Sequence, residues 1–347
     1  MRLTPIKVRG RGPRKKGFIP PPPKQLPSKA IQNADDSTAI GLSAKRRRRG
    51  RKPPSLIEQV PLEILQHIFL LSGNLNLPRA TPRLGYFLSS RSCLVELVFE
   101  AFAPTWDVWF GCTHTPGWVG GQLQSYYGYS TDAERFGGDP ELQSAVLTCH
   151  WARLSLLLDA QQIWVRRHGR HRYFEHLTFA AVPPDSSHGF GGLGHLTSVH
   201  DCFEHDWAAF LSSPTSASEP QTIYVGTHPH TQLPEDLITG TFDWEGARHL
   251  FWLFCQGVAA PCGDGGWWEI TKAAFERVMD LDDDALALVL LRLFERWGFF
   301  GAGKWPDHVR EEVVAELERR HGGSDPALPK TCEYAMRILT LSEERGP

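Results

Sequence analysis

From Ser55 to Leu71 the chain reads SLIEQVPLEILQHIFLL, a stretch that fits little other than a one-sided helix. Pro61 has the fixed φ and missing N–H that suit a first helical turn, and Glu63 follows where the helix dipole favours an acid. Ile64, Leu65, Ile68 and Phe69 recur at i, i+1, i+4 and i+5 and join Ile57 and Val60 in one broad apolar stripe. Glu63, Gln66 and His67 fall opposite. Burial along one side is the expectation.

Beyond this helix Gly73, Pro78 and Pro82 punctuate a connector anchored by Leu75, Leu77 and Leu84, and Leu94, Leu97, Val98 and Phe102 then resume a helical spacing. The string Val60, Pro61, Glu63, Ile64, Leu65, Ile68, Phe69 resembles the opening of the F-box: apolar, Pro, any residue, Glu, Ile, Leu, two variable residues, Ile, Phe. Its continuation, NLNLPRATPRLG, departs from the usual second half and is similar to a variant in uncharacterised F-box-like proteins of filamentous ascomycete fungi. The resemblance implies a helical module over residues 55–104. Its Val60, Pro61, Glu63, Ile64, Leu65, Ile68 and Phe69 would hold the Skp linker subunit of a cullin-based SCF ubiquitin ligase. Residues 105–347 would recruit an unidentified protein substrate. Such an adaptor is no enzyme and needs no cofactor, because the transfer chemistry resides in partner subunits.

Ahead of the helix, residues 1–54 carry 16 Lys plus Arg against Asp35 and Asp36, a charge of +14, so the remaining chain, with 21 bases and 37 acids, stands at −16. Nine prolines and few large apolar residues leave this tail unable to bury enough surface to offset its ordering entropy, and it is expected to be disordered. Within it Lys45, Arg46, Arg47, Arg48, Arg49, Gly50, Arg51 and Lys52 form a basic run of the kind read by importins or by nucleic acid. The expected location is the nucleus, with the cytoplasm as the alternative. RRRRGRKP and RGRGPRKK also resemble the AT-hook, although neither has Pro directly after its Gly-Arg core. That resemblance implies a second function, a nuclear DNA- or chromatin-associated protein whose tail binds the minor groove.

No apolar stretch follows the basic start as in a signal peptide, and the longest apolar runs, such as Ala285 to Leu291, fall far short of the ~20 residues of a bilayer helix. No membrane partner is expected. Seven scattered cysteines without a CxxC pair favour free thiols over a disulfide framework.

The remaining chain reads as mainly α. Trp106 to Gly138 is crowded with aromatics and glycines and suits a loop region or short strands. Glu141 to Arg167 holds two helices joined around His150 to Arg153, and a loop insert is expected near 180–222. His195, His200 and His205 are weak metal candidates, since five-residue spacing does not bring side chains to one helix face. Asp243 to Val258 opens on an Asp N-cap. Ile270 to Met279, Asp280 to Phe299, Val309 to Arg320 and Thr331 to Leu341 complete a helical region. Its helix pairs resemble a degenerate ankyrin stack, with an irregular solenoid or a bundle equally compatible.

Overall fold

The computed structural model describes residues 55–111, 137–176, 192–212, 226–258, 267–300, 305–321 and 330–344. The basic tail and most of the aromatic stretch before Gly138 lie outside them. The fold is mainly α. A 3-10 turn at Leu56–Gln59 leads into α1 (Leu62–Ser72), α2 (Leu77–Ala80), α3 (Pro82–Leu88) and the long α4 (Arg91–Trp109). Next come α5 (Pro140–Leu147), α6 (Leu154–His168) and a ribbon in which β1 (Phe174–His176) pairs antiparallel with β2 (Gly192–Gly194), Phe174 opposite Gly194. The order then runs α7 (Val199–Ser212), α8 (Glu235–Thr239), α9 (Trp244–Cys255), α10 (Trp267–Met279), α11 (Asp284–Arg296), α12 (Asp307–His321) and α13 (Lys330–Glu344). Among the described residues, no helix is long and apolar enough to cross a membrane.

Local chemistry sets the helix ends. Thr81, Ser90, Asp139, Asp243 and Asp283 each cap a helix with a side-chain oxygen that accepts first-turn N–H groups. Pro78 and Pro82, expected to break the path after α1, instead sit in the first turns of α2 and α3, where a missing N–H costs nothing. Pro61 stands at the N-cap of α1 rather than inside it, and its carbonyl accepts the Leu65 N–H at 2.9 Å.

Two cores share α4. One face of that helix, with Cys93 and Leu97, closes a small core completed by Leu65, Phe69, Leu84 and Leu88. Its other face, including Val98, Phe102 and Trp106, enters a larger core that runs through α5, α6, α7 and α9 to Ile338 and Leu339 of α13. The boundary expected at 104/105 therefore falls inside an unbroken helix, because the apolar spacing of α4 continues through Trp106. The loop insert expected near 180–222 also needs correction. Residues 199–212 within it are helical, and Phe203, Trp207 and Phe210 recur at i, i+4 and i+7 and bury against Phe251.

Buried polar groups tie segments that are distant in sequence. The fully buried Gln143 on α5 donates through Nε2 to Ala101 O (3.1 Å) and Thr105 Oγ1 (2.8 Å). Its Oε1 accepts from His228 N (2.8 Å) and Thr231 Oγ1 (2.9 Å). Trp106 Nε1 donates to Gly226 O at 2.8 Å, and the Gly226 and Thr227 amides donate to Gln256 O. A Cβ on Gly226 would lie 1.6 Å from Gln256 Oε1, so a side chain there would push the Gln256 amide off its hydrogen bond from Gln161 Nε2. These links join elements well beyond chain neighbours, unlike the packing of a solenoid.

His249 on α9 is buried, and its Nε2 makes no hydrogen bond among the described residues. Desolvation pushes its pKa down from 6.5 to about 4. A histidine whose folded pKa is depressed binds protons more readily when unfolded, so its neutral form supports the fold fully above pH 6.5 and progressively less toward pH 4. Urea unfolding across that window is expected to show a loss on the order of 3 kcal/mol. His249→Met should flatten that slope.

Candidate partner-binding face

Helix α1 is held from both ends. Ser55 and Glu58 form a capping box ahead of it, with the Ser55 N–H donating to Glu58 Oε2 at 2.7 Å. The other oxygen of Glu58 accepts from Thr81 Oγ1 at 2.7 Å, and Thr81 in turn caps α3 through the Leu84 N–H. At the far end Gly73, with φ +57, closes the helix in the left-handed region. The Thr81 and Ser55 hydrogen bonds hold the Glu58 carboxyl below its ordinary 4.5. Because that folded pKa is lowered, the tie between the 3-10 turn and α3 is complete above pH 4.5 and weakens as pH falls through the depressed value. A carboxyl-resolved NMR titration should find Glu58 titrating below 4.5, and Thr81→Val should return it toward that value.

With α1 fixed in this way, the seven residues of the motif divide. Leu65 and Phe69 are each 1% exposed and belong to the small core. Their assignment as contact residues is corrected: a side chain sealed inside its own domain cannot enter a partner. Ile64 is 53% exposed and Ile68 40%, and Leu71, one turn further on the same face, is 77% exposed. Pro61 and Glu63 are exposed, and Val60 is half-buried against the small core. Leu71 was missed in the sequence reading because it follows the matched string, although its i+7 spacing from Ile64 puts it on that face. The result is a row of three large aliphatic side chains facing outward beside two that face in.

The histidine candidates do not converge. His195 Nδ1 lies 2.9 Å from Arg172 O, and its ring packs on Tyr173. His200 Nε2 lies 3.2 Å from Asp159 Oδ1, and His205 Nδ1 is 4.0 Å from Asp206 Oδ1. Each has its own neighbour, and among the described residues no group of three His, Cys, Asp or Glu side chains is placed to hold a metal ion. A cavity of about 40 Å³ between α6, α7 and α9, lined by Cys202, Asp206, Trp252 and Cys255, has room for little more than water. Burial pushes the Cys255 thiol far up, which makes it a poor nucleophile. The basic run Lys45 to Lys52 lies outside the described residues.

In comparisons with family models, curated proteins and solved structures, the chain matches none.

Proposed function

We propose that this chain is a substrate-recruiting adaptor of the F-box type, docking the Skp linker subunit of a cullin-based ubiquitin ligase through the outer face of α1. The observation that carries the reading is the exposure of Ile64, Ile68 and Leu71. Three aliphatic side chains in a row at i, i+4 and i+7 are the pattern of a helix laid into an apolar groove. Ile64 and Ile68 stand within the string that resembles the F-box opening and Leu71 just beyond it, on a helix braced by its own small core. Under this proposal the large helical region holds the target, and the chain contributes effective concentration rather than chemistry. The basic tail would give the complex a nuclear address. Binding of the purified chain to the Skp linker subunit, measured at salt high enough to suppress tail contacts, tests the reading. Capture lost in an Ile64→Ala, Ile68→Ala double variant supports it, and capture absent in the wild type rejects it.

A further inference from the structure

Lysines are partitioned along this chain. Lys7, Lys15, Lys16, Lys24, Lys29, Lys45 and Lys52 stand in the first 52 residues, and no lysine follows until Lys272. From Pro53 onward there are 18 arginines and three lysines, against nine and seven in the tail. A genome-wide codon bias toward arginine would act on both parts alike, so it does not account for the contrast.

Local geometry accounts for only some of the arginines. Arg172 lies over Trp164 while donating to Asp107 O, and the buried Arg292 lies over Phe210 while donating to its carbonyl. A planar guanidinium serves both roles better than an ammonium does. Arg153, Arg166 and Arg170 differ. They are exposed, and their guanidinium groups make no hydrogen bond or ion pair among the described residues, so a lysine would serve there equally well. Arginine is retained where packing does not ask for it.

The remaining chemical difference is nucleophilicity. A deprotonated lysine Nζ attacks the carbonyl carbon of a ubiquitin thioester carried by a conjugating enzyme. The N–C amide bond forms, the C–S bond breaks, the enzyme's cysteine leaves as thiolate and the amine's proton passes to solvent. A guanidinium stays protonated and does not react in this way. Of the body's lysines, Lys272 is ion-paired with Glu276 at 3.3 Å on α10, and Lys330 begins α13. Neither helix belongs to the packing of α1, which rests on α3 and α4.

Resting on the adaptor reading, we propose that the body from α1 through α9 is kept free of acceptor amines. The ligase would then modify its own adaptor only on the lysines of the first 52 residues. The test is a reconstituted ligase containing the full chain, with conjugation sites mapped by mass spectrometry and linker capture measured on every variant. The wild type is expected to be modified on tail lysines. Replacing all seven tail lysines with arginine, which preserves their charge, should remove most of that conjugation. Adding Arg153→Lys, Arg166→Lys and Arg170→Lys to that variant should restore it. Conjugation persisting at the wild-type rate on Lys272, Lys304 or Lys330, or no recovery in the second variant, would overturn the inference while intact capture left the adaptor reading standing. Loss of capture throughout would remove both.

Discussion

Replacing Ile64 and Ile68 together with Ala is expected to weaken capture of the Skp linker subunit by about a thousandfold, on the basis of roughly 2 kcal/mol for each anchor. Stability should barely change. Both side chains are exposed and neither packs into the small core, and a surface substitution of that kind shifts unfolding by about 0.5 kcal/mol or less. Phe69→Ala is the necessary contrast. Its ring is 1% exposed in a core with few other members, so the cost falls on folding, at about 3 to 5 kcal/mol, and binding would be lost only because the helix loses its support. Calorimetric titration paired with urea denaturation separates the two cases. A double variant that binds like the wild type would mean that the outer face of α1 serves something other than the linker.

Gln143→Leu is expected to destabilise the fold by about 3 to 5 kcal/mol, near the upper end for a single substitution. Four partners lose their hydrogen bond at once: Ala101 O, Thr105 Oγ1, His228 N and Thr231 Oγ1. Removing one side chain strands buried groups on two separate segments, α4 and the stretch from His228 to Thr231, and each stranded group costs its own desolvation. Gln143→Glu should be little better, because a carboxylate cannot donate to the Ala101 carbonyl. Urea midpoints for the three proteins would decide the matter. A cost below 1 kcal/mol for Gln143→Leu would show that water replaces the amide.

The helices of residues 141–167 and 243–341 were legible in the sequence because apolar spacing and capping residues are local signals, whereas α7 was read as part of a loop insert. Asp243 announces its N-cap within four residues, and the cap forms, its side chain accepting the Gly246 N–H. The two faces of α1 were not separable by the same means. Ile64 and Leu65 are chemically near-identical neighbours, and which of them is covered depends on Leu84, Leu88, Cys93 and Leu97, whose combined surface is enough for only one arc of the helix. Gln143 gave no signal at all: its acceptor oxygen serves groups 85 and 88 residues away. The β1–β2 ribbon was equally silent, since three-residue strands with two glycines in one of them carry no alternation to read.

The sharing of α4 between two cores has a mechanical consequence. Nineteen residues of helix, with Pro104 inside it, extend about 28 Å, with the small core on one side and the large core on the other. A flexible linker at this place would let a tethered target sample many distances from the reacting thioester. Under the adaptor proposal the helix would act instead as a ruler, with reach and angle set when the chain folds. Targets able to react would then be selected by where their lysines fall along a fixed line of approach, as well as by how tightly they bind.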